Sequence, residues 1–472
     1  MNSAWYQNKF GDIEIIMAKK DYTNWNRNDL IKEIDTLKKR KKYGLVWEDK
    51  PEDVVEQCKK ELPVLEEIKE KEISTDPNKP TNLLIEGDNF HTLSVLNYTH
   101  NGKIDVIYID PPYNTGAKDF IYNDRYIDVE DGYRHSKWLS FMSKRLKLAR
   151  MLLKNDGLIL ISIDDNEQAQ LKVLCDEIFG ENNRLSIHHI QVRYSGKTLN
   201  EKNDWQPVME YVLVYAKNSS HFRANKPTSE YSIDKFIYEM KEQSEGIEIV
   251  VKNRKVRIFR KGEWKLIKHK ISDVKLLKET WVSGSIYSGT GNGKMVQNVI
   301  EPRIEIDGYG SLYKIYGLGE DGLGYRYFTG PQREGASRSK MFTGIPIIKS
   351  KEMETGDAFR YQSIPNYYDF SPDFGNIRHE GGVGFNSGKK PVKLLKQLIN
   401  YHKNNNAIVL DFFSGSGSTG HAVLELNNDD DGNRTFILAT NNESSVGGEK
   451  IAENICYPRI RNVIEGKNGR KL

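Results

Sequence analysis

The residues best suited to chemistry form a rigid, acceptor-rich turn, Asp110-Pro111-Pro112-Tyr113. They follow the apolar run at 105–109, which predicts a buried strand, so the turn leaves the sheet at its carboxyl end. The Asp110 carboxylate and the Pro111 carbonyl can only accept hydrogen bonds, and Tyr113 offers an aromatic face. This set suits a planar base whose exocyclic amino nitrogen becomes nucleophilic when two acceptors bind its hydrogens. The alternative is a proline-stiffened loop with a core-facing tyrosine.

A glycine-rich loop is the second candidate site. Asp411-Phe412-Phe413-Ser414-Gly415-Ser416-Gly417-Ser418-Thr419-Gly420 runs from a predicted strand into a predicted helix. Glycines let the backbone approach a ligand closely, and Glu443, after the next strand, is placed to hold ribose hydroxyls. The spacing of Gly415, Gly417 and Gly420 also fits the dinucleotide fingerprint, so an NAD-type dehydrogenase is one alternative.

The two loops require one sheet that is assembled from separate parts of the chain. Short apolar runs alternate with amphipathic stretches over 79–218 and again over 381–472, which predicts an α/β domain. Only about fifty residues follow Gly420, too few to complete the sheet, so strands before residue 220 must supply the rest. The predicted fold is a circularly permuted Rossmann-like sheet, with the strand before the glycine loop beside the strand that ends at Asp110.

Two further regions flank or interrupt this α/β pattern. Between 219 and 380 the alternation gives way to Gly- and Tyr-rich stretches with short β-like runs, which predicts a separate, inserted domain. Residues 1–78 predict a helical N-terminal region, beginning with an amphipathic helix over Asn28–Lys42.

The positive charge of the chain is concentrated in the predicted insert. The 472 residues include 70 Lys and Arg against 66 Asp and Glu, but 250–278 holds eleven basic and only two acidic residues. We predict that Lys252, Arg254 and Arg257, with Phe259 and Trp264, follow the phosphates of a nucleic acid. An amphipathic strand pair with solvated lysines explains the stretch equally well.

Composition argues against several classes of protein. Mean hydropathy is −0.65, and no apolar run approaches the ~18 residues of a membrane span. Asp12 and Glu14 interrupt any signal-peptide pattern, so we predict a cytosolic protein without membrane contact. The cysteines, Cys58, Cys175 and Cys456, are too far apart for a metal-binding motif, and we predict three inert thiols and no metal site.

The two motifs resemble those of the β class of DNA amino-methyltransferases, which use S-adenosylmethionine. Asp110–Tyr113 matches that family's catalytic motif and Phe413-x-Gly415-x-Gly417 its cofactor motif, in the same order and with a recognition domain between them. The resemblance implies a methyltransferase fold with S-adenosylmethionine as cofactor and double-stranded DNA as substrate. It places Asp88 near the cofactor adenine, Asp411 in the cofactor loop and Lys390 near the methionine end.

The same resemblance implies a mechanism. A flipped adenine would stack on Tyr113 with its amino group bonded to Asp110 and the Pro111 carbonyl, and the methyl group would transfer directly to N6. Aspartate as the first residue of the motif favours adenine, whereas serine would favour the N4 amino group of cytosine.

A narrower resemblance is to the modification subunit of type III restriction systems. It is carried by three segments: Asp110–Gly116, Ile161–Glu167 and Lys42–Trp47. It implies a restriction subunit and a second copy of the chain as partners to test. The alternatives are a solitary adenine methyltransferase, an N4-cytosine methyltransferase, a methyltransferase for RNA or protein glutamine, the dehydrogenase, and a DNA-binding module without enzymatic activity.

Overall fold

The chain divides into two units in the computed structural model. The structure describes residues 25–32, 47–74, 79–122, 125–197, 204–282, 291–336, 339–375, 377–385, 389–442 and 450–466. The first unit combines Met1–Asn225 with Pro365–Leu472, and the second is Lys226–Ile364. The first unit is therefore discontinuous in sequence.

The described strands form two large sheets and two short antiparallel pairs. In chain order they are β1 (Leu83–Glu86), β2 (Ile104–Ile109), β3 (Ala117–Tyr122), β4 (Arg125–Asp128), β5 (Leu153–Ile163), β6 (Arg184–Gln191), β7 (Met209–Ala216), β8 (Thr228–Glu230), β9 (Phe236–Glu242), β10 (Ile247–Val251), β11 (Arg254–Phe259), β12 (Trp264–Lys268), β13 (Leu277–Trp281), β14 (Leu312–Tyr316), β15 (Tyr325–Thr329), β16 (Lys340–Thr343), β17 (Phe359–Tyr361), β18 (Tyr367–Asp369), β19 (Ile408–Asp411) and β20 (Thr435–Thr440).

Residues 27–32 are helical, and further helices follow in the described chain. In chain order these are α1 (Asp53–Cys58), α2 (Asn89–Thr99), α3 (Arg134–Leu152), α4 (Gln168–Cys175), α5 (Gly291–Met295), α6 (Ile304–Asp307), α7 (Ile347–Thr355), α8 (Ser371–Gly375), α9 (Val392–Ile399), α10 (Ser418–Asp430) and α11 (Tyr457–Glu465). Tighter or wider helical turns occur at Lys69–Lys71, Asp176–Gly180, Glu181–Asn183, Val296–Ile300, Glu301–Arg303, Ile377–Gly382 and Ile451–Cys456.

The sheet of the first unit has the order β1-β20-β19-β2-β5-β7-β6-β18. Strands β1, β20, β19, β2 and β5 run parallel, and β7 is antiparallel to both of its neighbours. Val409 lies beside Val106 and Leu410 beside Ile107, which confirms the predicted neighbours. Strand β2 is buried along its whole length, as expected of a central parallel strand covered on both faces. Helix α3 contributes the fully buried Trp138 and Leu146 to the same core.

The second unit is built on an antiparallel sheet in the order β10-β11-β14-β15-β16-β13-β9-β12. Buried aromatic side chains, among them Phe259, Tyr313 and Phe328, form its core. Strands β8 and β17 make a separate antiparallel pair.

The bounds of the units differ from the predicted insert, 219–380. Strand β18 pairs with β6 of the first unit, and Ala224 bridges His402 there, so both ends of the predicted segment join the first unit. In the predicted helical N-terminal region, 1–78, helical turns occur at 27–32, Asp53–Cys58 and Lys69–Lys71, while 59–68 are turn and coil and include Pro63, which cannot donate a helical hydrogen bond. Predicted helix residues 33–42 lie outside the described residues.

Within the described part of the chain, no helix is both long and apolar enough to cross a membrane. The described residues also hold no cluster of three His, Cys, Asp or Glu side chains suited to a metal ion. All three cysteines are free thiols, and burial raises the pKa of Cys456 to about 12.

Candidate active site

The sheet brings the two sequence motifs together. Asp110 follows β2 and the glycine loop follows β19, and these strands are parallel neighbours. Both loops therefore leave the same edge of the sheet, where ligands of open α/β sheets bind. Strand β7 is antiparallel, so it begins at the edge where the parallel strands end. Glu210 lies near its start, one residue before the pairing of Tyr211 with Ile163.

Hydrogen bonds from neighbouring residues hold the turn at Asp110–Tyr113 in place. The indole Nε1 of the buried Trp138 donates a 2.8 Å hydrogen bond to the Pro112 carbonyl. The next residue, Asn114, is fully buried with a left-handed φ of 58°, and its amide donates to Glu167. His135 Nδ1 lies 2.6 Å from the same Glu167 oxygen. These contacts fix the turn on the sheet.

Four polar side chains meet at this turn: Asp110, Tyr113, Glu210 and Lys390. The Lys390 ammonium lies 3.0 Å from Asp110 Oδ2 and 3.3 Å from Glu210 Oε2. The Tyr113 hydroxyl lies 2.9 Å from Asp110 Oδ1 and 3.0 Å from Glu210 Oε2. Lys390 Nζ is also 5.0 Å from the centroid of the Tyr113 ring, within the range of a cation–π contact. We call these four residues the carboxylate pair cluster.

Burial and charge act against each other in this cluster. Burial raises the pKa of Asp110, the Lys390 charge opposes that rise and the Glu210 charge adds to it. Burial alone would lower the pKa of Lys390, but Asp110 and Glu210 outweigh it and the pKa lies above its usual value. Burial also raises the pKa of Tyr113, so its hydroxyl keeps its proton at neutral pH.

The two glycines of this loop differ in how closely other residues pack against them. Gly415 and Gly417 have left-handed φ angles of 45° and 79°. A Cβ at Gly417 would lie 2.9 Å from Cys456 Sγ, whereas a Cβ at Gly415 would meet, among the described residues, only the Phe413 carbonyl, at 3.9 Å. The loop is therefore closed against Cys456 at Gly417 and exposes free space at Gly415.

Buried side chains fasten this loop. Asp411 accepts hydrogen bonds from the Phe413 amide, at 3.0 Å, and from the Thr419 hydroxyl. Burial raises the pKa of Asp411 to about 7. The cofactor contact predicted for Asp411 stays a prediction, because the contacts of its carboxylate hold the loop itself.

A buried arginine supports the same loop from the C-terminal helix. Arg459 is fully buried and donates to the Ser416 and Ser418 hydroxyls, at 3.1 and 2.7 Å, and pairs with Glu380. Sequence reasoning missed this residue, because an arginine in a helix is normally interpreted as a solvent-facing charge.

The remaining predicted residues of the first unit have different surroundings. Asp88 caps helix α2, accepting from the Phe90 and His91 amides at 2.7 and 3.3 Å, and its other oxygen lies 3.6 Å from Arg145. Lys390, predicted near the methionine end, is paired with Asp110 and Glu210, so that role stays a prediction. Glu443 lies outside the described residues.

The predicted phosphate contacts lie in the second unit. Lys252 is in the turn between β10 and β11 and Arg254 begins β11, and both line a cavity of about 500 Å³. Lys252 donates to Asn298 at 2.7 Å, and Arg254 to the Gly317 carbonyl at 3.3 Å. Arg257 instead pairs with Glu248 at 2.8 Å.

Of the two predicted aromatic partners on this surface, Phe259 is wrong and Trp264 stays a prediction. Phe259 is fully buried in the core of the second unit, and Trp264 is half-buried with its indole donating to the Gly310 carbonyl. The pattern of basic and apolar residues along β11 and β12 is that of strands with one buried face.

Comparison with known proteins agrees with these motifs. The family model described as DNA methylase matches residues 104–456. The type III restriction-modification enzyme StyLTI Mod subunit of Salmonella typhimurium is 31% identical over 410 residues, covering 80% of this chain and 55% of that protein. The EcoPI Mod subunit of Escherichia phage P1 is 27% identical over 511 residues, covering 98% of this chain and 72% of that protein.

A shorter relative is covered more completely. The type II methyltransferase M.KpnI of Klebsiella pneumoniae is 30% identical over 365 residues, covering 75% of this chain and 79% of that protein. The chain spans little more than half the length of the Salmonella protein. The family match covers both motifs and most of the sheet that joins them, and the chain therefore belongs to the N6/N4 DNA methylase family.

Proposed function

We propose that this chain methylates the N6 amino group of adenine in double-stranded DNA, with S-adenosylmethionine as methyl donor. The observation that carries the proposal is the position of Asp110–Tyr113 beside the open glycine loop, at the carboxyl ends of neighbouring parallel strands. The aspartate-first motif favours adenine over cytosine.

The residues around the glycine loop fit S-adenosylmethionine. Among the described residues, only the Phe413 carbonyl lies within 4 Å of where a side chain at Gly415 would begin. Gly415 and Gly417 would bring backbone close to the cofactor, and Asp88 would lie toward its adenine. When bound, the cofactor supplies an electrophilic methyl group, and the protein supplies orientation and electrostatics.

Two acceptors of the turn orient the target nitrogen. The Asp110 carboxylate and the Pro111 carbonyl accept hydrogen bonds from the amino group and orient its lone pair toward the methyl group. Trp138 and Asn114 keep the turn rigid, so the acceptors need little reorganisation when the base arrives. Tyr113 offers its ring to the flipped base.

We further propose that the second unit reads the DNA. Its basic hairpin at Lys252 and Arg254 borders a cavity of about 500 Å³, and both cations are suited to phosphate oxygens. Arg257 is a weaker candidate because Glu248 already neutralises it.

Two relatives are modification subunits of type III restriction-modification systems, which favours the same role for this chain. We therefore propose a restriction subunit as a partner and a second copy of the chain as another. Co-purification with a restriction subunit and light scattering of the isolated chain test these partners separately.

The direct test uses purified protein, methyl-labelled S-adenosylmethionine and unmethylated duplex DNA. We expect label in N6-methyladenine after digestion and mass spectrometry. Asp110→Ala should abolish transfer while cofactor affinity, measured by calorimetry, stays within about threefold of wild type, since Asp110 lies on the substrate side. Full activity in Asp110→Ala would remove the catalytic assignment.

A further inference from the structure

The carboxylate pair cluster carries one negative charge in excess. Asp110 and Glu210 are two carboxylates, and Lys390 is the ammonium that contacts both. Their side chains are between 8% and 23% exposed. Excess charge is unfavourable in such a site, so the cluster gains stability by taking up one proton. A methyl transfer to an amino group releases one proton at this place.

The Tyr113 hydroxyl connects the two carboxylates. It lies 2.9 Å from Asp110 Oδ1 and 3.0 Å from Glu210 Oε2, but it has a single proton to donate. It can donate to one carboxylate while it accepts from the other once that carboxyl group is protonated. Both distances are within hydrogen-bond reach, which a proton relay requires.

Glu210 also lines a cavity of the first unit. A cavity of about 380 Å³ in the first unit is lined by Arg193, Tyr194, Lys197 and Gln206, among others, and by Glu210. Of the four cluster residues, all described in the structure, Glu210 is the one that lines it. Glu210 therefore connects the cluster to this cavity.

We propose that Glu210 receives the proton that the target amino group releases, relayed from Asp110 by the Tyr113 hydroxyl; this inference rests on the proposed methyl transfer. The target nitrogen gains the methyl group, the sulfur–carbon bond breaks with its electron pair on sulfur, and the nitrogen loses one proton to Asp110. Asp110 gives that proton to the Tyr113 oxygen as Tyr113 gives its own to Glu210. Tyr113 and Asp110 end unchanged, and Lys390 remains an ammonium.

The electrostatic surroundings favour the first step of this route, the transfer of the proton to Asp110. Burial raises the pKa of Asp110 and the charge of Glu210 raises it further, which makes Asp110 a better acceptor, while Lys390 opposes both. Other titratable groups also face the cluster, namely Tyr108, Asp164 and Asp411. The cations Arg193 and Lys197 line the cavity with Glu210.

The test compares Glu210→Gln, Tyr113→Phe and the double variant in single-turnover methylation at several pH values. Gln keeps the shape of Glu210, and Phe keeps the ring of Tyr113. We expect each single variant to be at least about tenfold slower at neutral pH, within the range of general acid–base effects. The double variant should be no slower than the slower single variant, because both remove the same relay. Glu181→Gln, a 70% exposed carboxylate elsewhere, is the matched control.

A second measurement needs no cofactor. The carboxyl carbon of Asp110 is followed by NMR in the free protein with labelled aspartate, its signal identified by its loss in Asp110→Asn. In Glu210→Gln the titration midpoint should move to lower pH, because the charge that raises the pKa of Asp110 is gone. The acid limb of the rate profile should move in the same direction, which a merely structural role would not produce.

The outcomes separate the relay from the proposed function. An active wild type with a Glu210→Gln rate within twofold, or multiplicative losses in the double variant, would overturn the relay and leave the methyl transfer standing. A wild type that forms no methylated adenine would overturn the proposed function itself. An unmoved Asp110 midpoint in Glu210→Gln would overturn the coupling of the two carboxylates.

Discussion

Gly417 should be far less replaceable than Gly415, although both are glycines of one loop. Both have left-handed φ angles, so alanine costs about 1–2 kcal/mol at either position. At Gly417 the new Cβ would also lie 2.9 Å from Cys456 Sγ, and overpacking of that kind costs about 1–3 kcal/mol more. We expect Gly417→Ala to lower the free energy of unfolding by about 2–5 kcal/mol.

Gly415→Ala is the matched variant. Of the residues that the structure describes, its Cβ would meet only the Phe413 carbonyl, at 3.9 Å, so we expect a loss of about 1–2 kcal/mol from the backbone alone. Its larger effect should be on cofactor affinity, because the methyl group would stand in the space proposed for S-adenosylmethionine. Urea unfolding measures the first effect and calorimetry with the cofactor the second.

Removing the sulfur tests the cause of the difference. Cys456→Ala in the Gly417→Ala background should recover part of the lost stability, a favourable coupling in a double-mutant cycle. The reasoning is refuted if the two glycine variants are equally stable, or if the cycle shows no coupling between positions 417 and 456.

Three more perturbations test the supports of the site, the buried carboxylate and the DNA surface. Trp138→Phe loses the hydrogen bond to the Pro112 carbonyl, so unfolding free energy should fall by about 1 kcal/mol and methylation should slow more than cofactor affinity weakens; an unchanged rate would contradict the role of this bond. Burial raises the folded-state pKa of Asp411 to about 7 from its usual 3.8, so between these pH values the folded chain holds a proton that the unfolded chain releases, and stability should fall as pH rises. Asp411→Asn should lose this dependence, which unfolding at pH about 4 and about 8 measures. An identical pH dependence in the variant would count against the assignment. Replacing Lys252 and Arg254 by Ala should reduce the slope of log affinity for DNA against log salt by about 0.9 for each phosphate that the variant no longer neutralises.

The DNA prediction has a matched control on the same sheet. Lys265 and Lys268 are exposed on β12, at the other end of the strand order from β10 and β11. Their double alanine variant removes the same charge and should leave the salt slope near that of wild type. Equal slopes for both double variants would show that charge, rather than the hairpin, determines binding.

The neighbouring positions of the two motifs could be predicted from the sequence. Asp110 and the glycine loop each follow an apolar run, and parallel strands of one sheet present their carboxyl ends at one edge. The parallel pairing of β2 with β19 confirms this prediction.

The partners of Asp110 could not be predicted in the same way. Glu210 stands in the apolar run of β7, where it resembles an ordinary strand residue, and it is brought to Asp110 only because β7 runs antiparallel. The sequence motif predicts Lys390 as a cofactor contact, whereas the structure pairs its ammonium with Asp110. A motif does not specify which carboxylate lies opposite an ammonium.

The basic stretch of the second unit shows another limit of sequence reasoning. Alternating basic and apolar residues predict both a nucleic-acid surface and a half-buried strand. The burial of Phe259 assigns the apolar residue to the core, while Lys252 and Arg254 stay at the surface cavity. Spacing alone does not distinguish these cases, because the same alternation serves both.

The measurement that tests the central claim most directly is a map of modified bases in the genome of a methylation-free host expressing the chain. We predict N6-methyladenine in a single sequence context for the wild type and none for Asp110→Ala at equal expression. N4-methylcytosine in place of N6-methyladenine would contradict the assignment of the target base. A folded, expressed wild type that leaves the genome unmodified would contradict the proposed activity.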